Sequence, residues 1–494
     1  MATTINELFI EAATAAADRH AYMYRDASGS WTRMTYGEAL QRVERVGAAL
    51  LELGVQPGDR VALLSNTRIE WTISDYAILG TGATVVPIYQ TNSPSEVQHV
   101  LVDSGATTLI IEDASQLAKI DEIREHLTDL QTIVVMDTSK VEDRITSDAD
   151  LMSFDELEQR GAALDSATWR AASANVPTDT IATIIYTSGT TGAPKGCMLS
   201  HANMWQSVEN VATADPRVIQ PDDRIVLFLP LAHILARIIQ LATTKLHGEC
   251  AYTSIATLID DMAEIKPTLL PSVPRVFEKA YTRIQGQLAS AEGVKKKLVD
   301  WALRTGRKRN HYKWVLGRSV PPLLAPQYAI AEKLVFSKIQ ARFGGNLRMC
   351  VSGGAPLSRE IQEFFLAAGI PIFEGYGLTE ATPLTLNIPG SFQLGSIGRA
   401  IGDTEIRIAE DGEILARSQM VFTGYYNNPE ATSETRDDEG WLHTGDIGEV
   451  DRNGFVYITD RKKDIIITAG GKNVAPQNIE NALKATRLVS QALV

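Results

Sequence analysis

From Arg60 to Asp137 the chain alternates short apolar runs with longer amphipathic stretches. Residues 61–64, 85–88, 109–111 and 133–135 have the length and β-branched content of buried strands, and 68–79 and 95–103 repeat apolar residues at helical spacing. Such alternation predicts a parallel sheet covered by helices. It returns over 181–252 and again over 347–376, where 349–351, 358–368 and 371–373 read as strand, helix and strand. Two doubly wound α/β units are expected. After Gly395 the pattern becomes strand, tight turn, strand: 405–408 and 414–416 flank Asp411-Gly412, and Asn453-Gly454 marks a further hairpin. A smaller β-rich region should follow the α/β units, and the polar stretch 140–178 is the candidate linker or excursion.

Composition narrows the class. At 494 residues the chain exceeds what one hydrophobic core normally organises. Its 47 basic against 60 acidic residues give a net charge of −13, which repels polyanions and argues against nucleic acid as a partner. Cys197, Cys250 and Cys350 form no C-x-x-C pair, so reduced core thiols are expected rather than a disulfide framework or a zinc cluster. Residues 1–11 lack a basic segment leading into an apolar run, and no stretch supplies eighteen uncharged apolar residues. Neither export nor membrane spanning is expected, and a cytoplasmic enzyme fits.

The chemistry-bearing residues begin directly after the strand-like run 181–185, with Tyr186-Thr187-Ser188-Gly189-Thr190-Thr191-Gly192-Ala193-Pro194-Lys195-Gly196. Glycines let backbone N–H groups converge on an anion, hydroxyls donate further hydrogen bonds, and one ammonium neutralises charge. The run is not a Walker A loop, because Pro194 and Gly196 flank Lys195 where such a loop needs Gly before and Ser or Thr after. Read alone, it is equally a polar surface loop. Further on come Leu229-Pro230-Leu231-Ala232-His233, Gly353-Gly354-Ala355-Pro356, Tyr376-Gly377-Leu378-Thr379-Glu380, Thr444-Gly445-Asp446 and Asp460-Arg461-Lys462-Lys463-Asp464. Alone, the TGD is a turn and the RKKD a solvated charge run.

As an ordered set these motifs resemble the adenylate-forming superfamily, the AMP-dependent synthetases and ligases, which includes acyl-CoA synthetases, peptide-synthetase adenylation domains and firefly luciferase. The resemblance implies an α/β protein with a large N-terminal domain over 1–461, made of two doubly wound units and a distorted β-barrel. A small, incomplete α+β C-terminal domain would be hinged to it over 462–494. It implies that Thr187, Ser188, Gly189, Thr190, Thr191, Gly192 and Lys195 hold the ATP phosphates. Gly353, Gly354, Ala355 and Pro356, with Gly375, Tyr376 and Gly377, would line the adenine. Thr379 would contact the α-phosphate, Glu380 would hold Mg²⁺, Asp446 would accept the ribose hydroxyls and Arg461 would support the ribose and phosphate side. Lys195, Thr379 and Glu380 are thus the expected catalytic residues. His233 is expected at the acyl pocket as a gate, Lys463 as the hinge, and Gly470 and Gly471 along the coenzyme A channel.

The implied reaction needs no catalytic Ser or Cys: a carboxylate attacks the α-phosphate of ATP once charge is screened, and a thiol then displaces AMP. No G-x-S-x-G occurs, which disfavours a serine hydrolase. Residues 273–278 and the basic, Trp-bearing stretch 295–318 are similar to long-chain fatty acyl-CoA synthetases, so fatty acid, ATP, Mg²⁺ and coenzyme A are the expected substrates and cofactors. Lys295–Lys297, Arg304, Arg307, Lys308 and Arg309, with Trp301 and Trp314, suit contact with anionic lipid at the inner membrane face, against the alternative of a solvated basic helix with core-facing Trp. The segment 231–236 carries no acidic residue to hold an amino-acid substrate's amine. The alternatives are an acyl-AMP ligase delivering to a carrier protein and a nucleotide-binding pseudoenzyme, the latter disfavoured by the intact Lys195, Glu380, Asp446 and Arg461. Members of the superfamily continue past the region matching 482–494 into a fuller C-terminal domain with a late catalytic lysine, so impaired adenylation is expected from a chain that is truncated, an incomplete gene product or completed in some other way. Lys472 and Lys484 lie too early to supply that lysine. Acyl chain length and oligomeric state are not legible.

Overall fold

A computed structural model describes residues 3–187, 193–214, 217–290, 292–463, 466–467 and 473–474. Among these, two large sheets carry the expected alternation. In one, Arg60–Leu64 lies between the parallel strands Thr84–Ile88 and Thr108–Ile111, followed outward by Thr132–Val135 and Leu151–Ser153. These strands are almost wholly apolar and buried, as parallel strands covered on both faces must be. The helices between them begin and end on ordinary signals. Pro94–Ser104 opens on a capping box at Ser93 and Glu96 and stops at Gly105, which takes a left-handed conformation.

The second sheet has nine strands, with Leu269–Ser272 at its centre, Met349–Ser352 and Ile372–Leu378 following parallel on one side, and Ala381–Leu386 antiparallel beyond them. Its far side holds a feature that segment-by-segment reading does not supply. The N-terminal strand His20–Arg25 pairs parallel with Glu249–Tyr252, so this strand, which precedes the first sheet in sequence, belongs to the second sheet. One continuous apolar core runs between the units, and a four-stranded antiparallel sheet, Glu405–Ile408, Glu413–Arg417, Leu442–Val450 and Val456–Arg461, forms the expected smaller β region.

The linker reading of 140–178 is corrected. That stretch folds into the helices Glu142–Ser147, Phe154–Ala162 and Ser166–Ser173 and the edge strand Leu151–Ser153. Its anchor is Trp169, fully buried, with its indole N–H donating to Ala77 O at 2.9 Å. A Cβ at Gly47 or Gly80 would come within 2.1 Å of that indole, so two glycines distant in sequence form its seat. The polarity of the stretch reflects the outer faces of short helices and not absence of structure.

Candidate functional site

The phosphate-type run joins two antiparallel strands, Ile181–Thr187 and Lys195–Ser200, in which Thr187 pairs with Lys195. It is a hairpin connection at the last-but-two strand of its sheet, not the strand-to-helix loop that a doubly wound pattern suggests. Ser188 to Gly192 lie outside the described residues. Both flanks are fixed from one helix: Tyr186 donates to Asp103 at 2.6 Å, and His99, one turn earlier on Pro94–Ser104, meets Pro194 O at 2.9 Å.

Lys195 stands over the ring of Tyr425, its Nζ 5.2 Å from the centroid, and the Tyr425 hydroxyl donates to Glu380 Oε1 at 2.5 Å. Burial first, then the Glu380 carboxylate, push the Tyr425 phenol pKa up, which keeps it a donor. The Phe422 N–H bonds Glu380 O at 2.7 Å, and the short strand Gly424–Tyr425 pairs with Lys195–Ser200. The expected catalytic lysine and metal carboxylate therefore share one tyrosine, the first over its ring and the second at its hydroxyl. Sequence reasoning missed Tyr425, since only strand pairing over a long chain separation brings it there.

Thr379 and Glu380 form the turn after Ile372–Leu378. That strand changes character midway: Ile372, Phe373 and Glu374 are buried, and Gly375 onward is half-exposed. Gly377 cannot carry a side chain, because a Cβ would sit 2.4 Å from Thr382 Oγ1. Alongside, Gly353 directly follows the strand Met349–Ser352, and Gly354, Ala355 and Pro356 are exposed beside it. A Cβ on Gly353 would meet Leu235 Cδ2 at 3.3 Å, which puts this loop against the start of helix Ile234–Lys245. His233 caps that helix, its Nδ1 accepting the Leu235 N–H at 3.2 Å, and burial lowers its pKa so that the imidazole is neutral. The described contacts give His233 a structural role at the helix start beside the expected gate.

The ribose-type cluster closes from the four-stranded sheet. Tyr376 donates to Asp446 Oδ2 at 2.5 Å, and Arg461, directly across the ladder, approaches Oδ1 at 3.2 Å. Burial raises the Asp446 pKa, partly offset by the Tyr376 hydroxyl and Arg461. An ionised carboxylate offers about four acceptor positions, so two partners leave room for ligand hydroxyls. Glu413, also missed, holds the turn itself: it accepts the Gly445 N–H at 2.8 Å and pairs with Lys462 at 2.9 Å. Lys463 is exposed just beyond Lys462, while Gly470, Gly471, Lys472 and Lys484 lie outside the described residues.

The expected residues that can be placed thus come from three sheets: Lys195 from the first, Gly353 and Gly375–Glu380 from the ends of second-sheet strands, and Asp446 and Arg461 from the four-stranded one. A family model described as AMP-binding enzyme matches residues 9–426. The chain belongs to the AMP-binding enzyme family. It is 40% identical over 474 residues to the long-chain-fatty-acid–CoA ligase FadD15 of Mycobacterium bovis, covering 94% of this chain and 76% of that protein. Human long-chain-fatty-acid–CoA ligase ACSBG2 is 32% identical over 92% of this chain and 69% of its own. Among solved structures, a Mycobacterium tuberculosis fatty acyl CoA synthetase shares the fold with a TM-score of 0.69 at 24% identity, covering 98% of this chain and 83% of that one. The anthranilate CoA ligase AuaEII in complex with anthranoyl-AMP does so with a TM-score of 0.78 at 22% identity, covering 99% and 83%.

Proposed function

We propose that this AMP-binding enzyme is a long-chain fatty acid–CoA ligase. It converts a fatty acid and ATP to acyl-AMP and pyrophosphate, and then forms acyl-CoA with release of AMP. The observation that carries the reading is the Lys195–Tyr425–Glu380 array beside the Tyr376–Asp446–Arg461 cluster. In this reading the Lys195 ammonium and the Glu380 carboxylate serve the triphosphate and its metal, and the buried Asp446 carboxylate with the Arg461 guanidinium serves the ribose. Likeness to FadD15 supports the fatty acyl substrate and coenzyme A as acceptor over a carrier protein.

Among the described residues no three His, Cys, Asp or Glu converge as a preformed metal cage. A lone half-exposed carboxylate such as Glu380 fits Mg²⁺, which is characteristically held by one or two carboxylates together with substrate phosphates. Bound there, the ion screens the phosphate charge. Lys195 neutralises the β- and γ-phosphate side, Gly353–Pro356 and Gly375–Gly377 line the adenine, and Thr379 contacts the α-phosphate. The fatty acid carboxylate attacks phosphorus directly, and the anhydride so formed carries a good leaving group for the thiol. Residues 462–494 form the small domain of this reading, pivoting at Lys463. Lys462 is tied to Asp411 and Glu413, so the pivot falls at the next position.

The helical excursion 293–338 supports attachment at a lipid surface. Leu323, Ile330 and Leu334, spaced by seven and four, are 81%, 53% and 47% exposed, with Lys333 and Lys338 beside them. Trp314 instead packs edge-on against Phe373, as the core-facing alternative had it. No described helix is long and apolar enough to cross a membrane.

The test is AMP release with coenzyme A across carboxylic acids of increasing length, aryl acids and amino acids, with and without anionic phospholipid vesicles. Long saturated or unsaturated acids should dominate, and the enzyme should sediment with the vesicles. Preference for aryl or amino acids would sink the substrate assignment, and acid-independent pyrophosphate release would sink the enzyme reading.

A further inference from the structure

Glu374 is buried, one residue before the half-exposed Gly375. Its Oε1 accepts the Leu357 N–H at 2.8 Å, and its Oε2 accepts the Gln362 amide. Leu357 directly follows Pro356, so this carboxylate closes the exit of the 353–357 loop, whose entry is fixed by the Gly353 N–H on Ser272 O at 3.2 Å. Main-chain pairing sets the height: Glu374 lies beside Ser352, the residue before that loop. The amide of Gln362 is oriented in turn, because its Oε1 accepts the Gly395 N–H at 3.2 Å, which leaves only its NH₂ to face Glu374. The network therefore requires an acceptor on both oxygens of residue 374, a demand that an ionised carboxylate meets and an amide does not.

We infer that Glu374 is a positioning residue for nucleotide binding, a buried latch that holds the 353–357 loop at a fixed height against the strand carrying Gly375–Gly377. The inference rests on the reading of those two segments as the adenine site. Both carboxylate oxygens of Glu374 are taken by protein donors, and the side chain is buried. It acts through the loop, and a loop that drifts by even part of an ångström loses the fit of its exposed residues Gly354–Pro356 to a planar ligand. Burial, against the Leu357 and Gln362 donors, pushes the carboxyl pKa up to about 7. Those two are the groups that bear on it from the loop and from helix Arg359–Ala367; the Asn387 N–H takes only its main-chain carbonyl, and among the described residues no charged side chain bears on it.

The test measures KM for ATP and kcat of hydroxylamine-trapped adenylation for wild type, Glu374→Gln, the double variant Glu374→Gln with Gln362→Glu, and Asp446→Asn as a site control. Glu374→Gln sets donor against donor at Gln362 and should raise KM for ATP about tenfold, with kcat and KM for the fatty acid within about threefold. The double variant restores the pattern: the new amide at position 374 accepts from Leu357 and donates to the new carboxylate at position 362, which still accepts from Gly395. Its KM should return to within about threefold of wild type. Wild-type KM for ATP should rise as pH falls below about 7, and that rise should vanish in Glu374→Gln. Should Glu374→Gln not fold, Gln362→Met removes the oriented donor alone and should raise KM in the same direction. Unchanged KM in Glu374→Gln with a raised KM in Asp446→Asn overturns the latch and leaves the nucleotide reading standing. A fall in kcat at constant KM, the mark of less folded enzyme, overturns the latch too. Unchanged KM in both variants overturns the nucleotide reading itself.

Discussion

Glu380 shows how much a single side chain draws from its surroundings. Its carboxylate is held by the Tyr425 hydroxyl at 2.5 Å, and that ring in turn lies under Lys195, so charge, donor and cation are fixed in relation to one another before any ligand arrives. Replacing it by Gln keeps the shape and removes a metal charge. Adenylation in Glu380→Gln should fall by about two to three powers of ten with nucleotide affinity within a few-fold, measured as acyl-hydroxamate formation alongside ATP titration. Unchanged hydroxamate formation would remove Glu380 from the metal role. Tyr425→Phe, which loosens the carboxylate without discharging it, should cost about tenfold. The sequence made Glu380 visible through its ordered motif and left Tyr425 invisible. Strand pairing of Tyr425 with Cys197 is a tertiary fact, and no local pattern around residue 425 carries it.

At the scale of elements, strands announced by apolar runs appear within a residue or two of expectation, as at Arg60–Leu64 and Thr108–Ile111, because full burial on both faces demands continuous apolar sequence. The helices Glu142–Ser147, Phe154–Ala162 and Ser166–Ser173 escaped for the opposite reason: each is short, and each buries at most a narrow stripe, such as Phe154 and Leu157 or Trp169. The seat for Trp169, built from Gly47 and Gly80, exists only after the fold forms. A comparable logic governs the junction after Val456–Arg461. Lys462 is pinned to Asp411 at 2.6 Å and Glu413 at 2.9 Å, so a rotation of the following segment must be absorbed at Lys463. Proline there fixes φ and restricts the residue before it. Lys463→Pro should therefore depress thioester formation at least about tenfold more than adenylation. Parallel assays of acyl-CoA and acyl-hydroxamate decide it, and equal losses would place the pivot elsewhere.

For the molecule as a whole, pH acts on two buried groups of opposite sign. His201 accepts the Ile5 N–H on Nδ1 at 3.1 Å and so ties the N-terminal helix to helix His201–Ala212. Burial, with Arg237 nearby and against the pull of Glu7, lowers its pKa to about 3. A protonated ring would point a second N–H at that of Ile5, so the folded state holds the neutral form. An imidazole depressed from 6.5 to about 3 contributes stability that is complete above pH 6.5 and is lost as pH falls toward 3. Glu374, raised from 4.5 to about 7, contributes stability that is complete below pH 4.5 and is lost as pH rises through 7. Each tenfold change in proton affinity corresponds to about 1.4 kcal/mol, so either contribution amounts to roughly 3 to 5 kcal/mol, and over about pH 4.5 to 6.5 the two offset one another. Below that window, of the two, only His201 continues to titrate. Melting wild type, His201→Gln and Glu374→Gln from pH 4 to 8 separates them. His201→Gln keeps an acceptor for Ile5 but cannot be protonated, so its stability relative to wild type should improve as pH falls below 6.5. Glu374→Gln should improve relative to wild type as pH rises from 4.5 to 7. Parallel pH profiles for all three proteins would mean that neither buried group shapes the pH dependence of stability, and the burial argument for both would fail together.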